Sequence, residues 1–89
     1  MKTVKIFVTG SVQGAYFRQF VNKTANELKL KGFVRNMDDG RVEVIAEGRD
    51  EKVNEMIEAC KKGAPQASVK EVQTQELSHQ GFDSFKILR

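Results

Sequence analysis

The sequence has one cysteine, one histidine and one proline in 89 residues. Cys60 has no partner for an internal disulfide, and a single thiolate does not make a metal site. It reads as a small residue packed on a helix. His79 is alone too, set in the polar stretch Leu77–Gly81, and reads as an exposed bystander rather than a base. No apolar run approaches the ~20 residues needed to cross a bilayer. No apolar stretch of signal-peptide length follows Met1–Lys5. A cytoplasmic location without membrane contact is therefore expected. The chain contains no repeat, linker or low-complexity segment, so residues 1–89 read as a single domain.

What is present is globular in balance, with 39% hydrophobic and 30% charged residues. The net charge of +3 is unevenly spread. Residues 1–41 hold eight Lys/Arg against three Asp/Glu, whereas residues 42–89 hold seven against nine. A basic first half suits an anionic ligand, and equally a solvated surface.

Periodicity divides the chain into seven elements. Val4, Ile6 and Val8 alternate with Lys5, Phe7 and Thr9, the period of a strand. A loop over Gly10–Phe17 follows. Phe17, Phe20, Val21, Thr24, Ala25 and Leu28 recur at helical spacing, which predicts a helix from about Arg18 to Leu30, broken by Gly32. Phe33–Asn36 and Val42–Glu47 read as strands joined by a hairpin turn at Met37-Asp38-Asp39-Gly40. Val53, Met56, Ile57 and Cys60 mark a second helix, with Asp50 as its candidate cap and Gly63 and Pro65 as its stop. Ala67–Thr74 and Phe82–Leu88 supply two further strands.

The order β-α-β-β-α-β with an added strand is the α+β, ferredoxin-like split β-α-β pattern. It implies an antiparallel sheet of four to five strands with two helices on one face. The pattern hosts many functions. An RNA-recognition module needs stacking aromatics on the sheet. Lys31-Gly32-Phe33 begins like its motif, but Val34, Arg35 and Asp38 stand where small and aromatic residues belong. A metal carrier needs a Cys-x-x-Cys pair, which the chain lacks. A small-ligand regulatory domain stays open.

The segment Gly10-Ser11-Val12-Gln13-Gly14-Ala15-Tyr16-Phe17-Arg18 resembles the acylphosphatase signature G-x-V-Q-G-[V or H]-x-F-R. Gly32-Phe33-Val34-Arg35-Asn36, with Gly40-Arg41-Val42 and Gly48 beyond it, matches the second signature of that family. Gly63–Val69 is similar to the family's segment before its fourth strand, so the resemblance spans nearly the whole chain. Two departures stand out. Ala15 replaces the usual valine, from which a slightly looser cradle is expected. Lys29 stands where the family often has glycine, and should affect only the end of the helix.

The resemblance implies hydrolysis of an acyl phosphate to a carboxylate and inorganic phosphate, and the residues agree. Carboxylate is a good leaving group, so the reaction depends on positioning and on stabilising charge. Backbone N–H groups of Gln13, Gly14, Ala15, Tyr16, Phe17 and Arg18 at a helix start form a candidate phosphate cradle. The Arg18 guanidinium can grip two phosphoryl oxygens. Phe17 reads as a core anchor, and Tyr16 is open to two readings, flanking the substrate or serving the turn alone. By resemblance, Asn36 positions the attacking water. Turn chemistry accounts for Asp38 and Asp39, Arg35 reads as surface charge, and neither a metal nor a cofactor is expected. The expected partners are a small acyl phosphate and inorganic phosphate as product and inhibitor, acting on a monomer that binds no nucleic acid. The rival reading is a non-catalytic anion-binding domain or a module of a larger assembly. The joint presence of Arg18 and Asn36 favours the enzyme.

Overall fold

The computed structural model describes residues 1–14 and 16–89. Its strands and helices follow in the order β1 (Lys2–Ser11), α1 (Phe17–Glu27), β2 (Lys31–Asn36), β3 (Val42–Gly48), α2 (Asp50–Lys62), β4 (Ser68–Leu77) and β5 (Phe85–Leu88). They form one five-stranded sheet in the order β4-β1-β3-β2-β5. Four strands run antiparallel, as the sequence implies. The fifth does not: β5 lies parallel to β2, with Gly32 opposite Phe85 and Arg35 opposite Leu88. The sheet is therefore mixed. The reason is the path of the chain, since β4 sits at one edge and β5 at the other, and the connection between them crosses the sheet.

Alternation sets the core. Val4, Ile6 and Val8 of β1, Val34 of β2 and Val42, Val44 and Ala46 of β3 point to the helices and are buried. The α1 stripe delivers Phe17, Val21 and Ala25, and α2 delivers Val53, Met56 and Cys60. Helix α1 covers β2 and β5, while α2 covers β1, β3 and β4. Burial pushes the Cys60 thiol up to about 12, consistent with a packing role.

Several boundaries differ from the sequence reading: β2 begins at Lys31 rather than Phe33, β4 runs on to Leu77 rather than ending at Thr74, and three others have a visible cause. Helix α2 starts after Arg49, whose side chain makes no capping bond. Asp50 is the first helical residue and lies 3.3 Å from the N-terminal ammonium. It thus favours the helix dipole rather than capping a free N–H. The last strand begins at Phe85 rather than Phe82, because the segment before it is held by a side chain from β3, Glu47. The first helix ends at Glu27. Lys29 then adopts φ 59°, a left-handed conformation. Its N–H donates to the Asn26 carbonyl at 3.1 Å, and Leu30 N–H donates to Ala25 at 2.8 Å. This is a Schellman closure, and glycine takes its left-handed position without strain.

Candidate active site

The turn that follows β1, the first residues of α1 and the end of β2 line a cleft of about 310 Å³. Val12, Gly14, Tyr16, Phe17, Arg18, Gln19 and Asn36 line it. Val12 and Phe17 are each 1% exposed. Burying Phe17 contributes about 2–3 kcal/mol and fixes where the loop meets the helix. Between these anchors the backbone turns sharply. Gly14 has φ 75°, and Tyr16 has φ 58° and ψ 19° as the residue that caps α1. A left-handed tyrosine stores strain of order 1–3 kcal/mol, a cost that tends to collect at functional loops.

The start of α1 carries no side-chain cap and no acidic residue in its first turn. The N–H groups there are donors without intrahelical acceptors, at the positive end of the helix dipole. Arg18 adds a full charge to this end. Its Nη1 donates to the Leu88 carbonyl of β5 at 3.0 Å, which braces the long side chain from behind. The remaining guanidinium donors are free of that bond and point the site toward an anion.

Asn36 approaches from the other wall, as the last residue of β2. Its Oδ1 is buried, with no hydrogen-bond partner among the described residues. A buried acceptor left unpaired costs about 1–3 kcal/mol, so its retention is a functional sign.

The side chain of Gln13 does not line the cleft. It is spent on the hairpin, where Nε2 donates to the Met37 carbonyl at 2.7 Å and to the Arg41 carbonyl at 2.9 Å. This bond pair ties the loop of the cradle to the turn that follows Asn36. The loop motif credits Gln13 with its backbone N–H alone; the tether is not legible in it, since nothing local pairs an amide with carbonyls 24 and 28 residues away. Ala15, also assigned to the cradle, lies outside the described residues. Gly14, Tyr16, Phe17, Arg18 and Asn36 do come together in one cleft.

Other titratable groups are accounted for elsewhere. Asp39 accepts from the Arg41 N–H at 3.1 Å and pairs with its guanidinium at 2.8 Å. The backbone bond, with the ion pair behind it, holds the carboxyl below its ordinary range. Arg35 faces away from the helices and pairs with the buried Glu43, which also lies 3.8 Å from Lys5. His79 is exposed and 3.3 Å from Glu47, on no wall of the cleft.

A family model described as Acylphosphatase matches residues 4–87. The acylphosphatase of Haloquadratum walsbyi is 43% identical over 84 residues, which cover 94% of this chain and 90% of that protein. The crystal structure of acylphosphatase from Bacillus subtilis superposes with a TM-score of 0.96 at 41% identity, covering 100% of both chains. The structure of an acylphosphatase from Coxiella burnetii gives a TM-score of 0.94 at 34% identity, covering 98% of this chain and 92% of that one.

Proposed function

This chain belongs to the acylphosphatase family, and from that premise we propose that the cleft between the first loop and β2 is where it hydrolyses acyl phosphates. The enzyme class, a hydrolase that splits an acyl phosphate into carboxylate and phosphate, follows from the family. The assignment of residues is the proposal. One observation carries it: a single cleft joins an uncapped helix start, the braced Arg18 and the unpaired Asn36 oxygen.

In this reading the phosphoryl group rests against the N–H groups of the 13–18 segment, and Arg18 grips two of its oxygens. Charge that builds on these oxygens as the bond breaks meets donors already in place. Asn36 holds the water, accepting a hydrogen bond from it at Oδ1 and so aiming its oxygen at phosphorus. The water oxygen bonds to phosphorus, and the bond from phosphorus to the bridging oxygen breaks. The bridging oxygen leaves with its electron pair as part of the carboxylate. A phosphate oxygen takes the water proton, so the step uses no separate base. Gln13 is a positioning residue that keeps the two walls in register.

The same reading makes inorganic phosphate a competitive inhibitor of the cleft. It describes a single-domain cytoplasmic monomer that needs no metal, cofactor or nucleic acid. No described helix is long and apolar enough to cross a membrane.

Phosphate affinity by calorimetry and kcat for benzoyl phosphate on Arg18→Ala and Asn36→Ala test the assignment. Arg18→Ala should weaken phosphate binding and lower kcat/KM on the order of a hundredfold or more, the scale for losing one preorganised donor. Asn36→Ala should keep phosphate affinity while kcat collapses. If Asn36→Ala loses phosphate affinity as badly as Arg18→Ala, Asn36 is a phosphate ligand or a strut, and its water-positioning role is wrong.

A further inference from the structure

A second depression of about 320 Å³ runs along α1 beside the phosphate cleft, toward the segment after α2. It shares Tyr16 and Gln19 with the cleft and adds Phe20, Lys23, Ala64, Pro65 and Gln66. The two spaces are thus neighbours across one pair of side chains. Phe20 is half-buried, with its ring 5.9 Å from that of Phe17, so the packing that anchors the cradle also shapes the groove.

The two parts of an acyl phosphate share one oxygen, so the acyl carbon lies two bonds from phosphorus. Tyr16 and Gln19, which border both spaces, offer the acyl group of a phosphoryl seated on the loop a way out beside them. On one side that way out opens onto Phe20, Ala64 and Pro65. These offer apolar surface to a carbon skeleton, which gains by leaving water. The sequence alone leaves the acyl group in solvent, because Ala64 and Pro65 lie some 40 residues from Phe20 in the chain. Only the docking of α1 beside α2 brings them together.

Lys23 adds a charge to the groove. It follows Arg18 by five residues in α1, a rise of about 7.5 Å along the helix. It is exposed, and none of the ion pairs among the described residues includes it. No carboxylate lines the groove to neutralise it.

We infer that this groove receives the acyl group of the substrate, and that Lys23 selects acyl groups whose apolar body ends in a carboxylate. The inference rests on the phosphoryl position proposed above. The substrate class is then the half-phosphorylated dicarboxylic acids, held by Arg18 at one end and by Lys23 at the other.

The test compares 4-carboxybenzoyl phosphate with 4-methylbenzoyl phosphate, which share a rigid ring and differ only at the far end. The readout is the ratio of their kcat/KM values on one protein preparation, so any loss of folded enzyme cancels. Lys23→Gln should lower the ratio about threefold to fivefold, the scale of an exposed ion pair. Lys23→Glu, which turns attraction into repulsion, should lower it about tenfold. A ratio that stays put in both variants overturns the role of Lys23. Arg18→Ala separates the two levels. If turnover depends on Arg18 while the ratio ignores Lys23, the selection of a far carboxylate fails and the phosphoryl position stands. If Arg18→Ala leaves both substrates turning over as before, the phosphoryl position fails, and the groove falls with it.

Discussion

Gln13 shows how one side chain couples a loop to a strand it does not belong to. Its amide reaches two carbonyls of the β2–β3 hairpin. Asn36 sits immediately before that hairpin, and Arg18 a few residues after Gln13. In the proposed reading, the relative placement of phosphate and water then depends on these two hydrogen bonds. Gln13→Ala should leave the fold intact, since the residue is exposed, with a stability loss of about 1 kcal/mol. It should lower kcat by roughly tenfold or more, because a misplacement of about 1 Å between reacting groups is costly. Phosphate affinity should fall much less than kcat. Steady-state kinetics with phosphate titration decide this, and an unchanged kcat would show that the tether has no part in positioning.

Among the elements, α1 does the most. It starts at the cradle, buries Phe17, Val21 and Ala25, and ends in a Schellman closure at Lys29. The closure demands a left-handed residue, and lysine meets that demand at a strain of about 1–2 kcal/mol that glycine avoids. The substitution is therefore more than a detail of the helix end. Lys29→Gly should stabilise the protein by about 0.5–1 kcal/mol even though glycine loosens the unfolded chain. This corresponds to a rise in Tm of roughly 4 °C. Activity should not change, because Lys29 lies at the opposite end of α1 from the cleft. A lower Tm on calorimetry would mean that Lys29 makes up for its strain by other contacts.

At the scale of the whole molecule, Glu47 holds the crossing connection to the sheet. It is 2% exposed on β3. It accepts from Thr3 Oγ1 at 2.6 Å and from the N–H groups of Gln80, Gly81 and Phe82 at 2.6, 3.0 and 3.1 Å. Burial alone would raise its pKa. The Thr3 hydroxyl and the three backbone donors outweigh burial and bring the carboxyl from 4.5 down to about 2. A depressed carboxyl stabilises the fold fully above its unfolded value of 4.5 and loses that contribution as pH falls toward 2. The contribution is on the order of 3 kcal/mol. Urea unfolding of the wild type should show this loss across that acid window. Glu47→Gln sets an amide donor against donors, so it should be destabilised at neutral pH and should lack this part of the acid dependence. Parallel acid slopes for the two proteins would assign the loss to other carboxylates.

Much of this protein is local in origin. The period of two in Val4–Val8, the period of 3.6 in Phe17–Leu28 and the Asp-Gly turn each arise from neighbours along the chain, and each element appears where those signals lie. Arg18 and Asn36 were legible as candidates because each stands in a short motif, and the fold carries both to one cleft. Contacts distant in sequence were not legible. Glu47 alternates with Val44 and Ala46 as any solvent-facing residue of a half-buried strand would. It is buried because β3 is the central strand and the 78–84 segment crosses over it. In the same way, the parallel pairing of β5 decides that the Leu88 carbonyl meets Arg18. Hydrophobic period specifies which face of an element is buried. Which elements become neighbours, and so which polar groups find partners, depends on how the faces pack, and that is settled only in three dimensions.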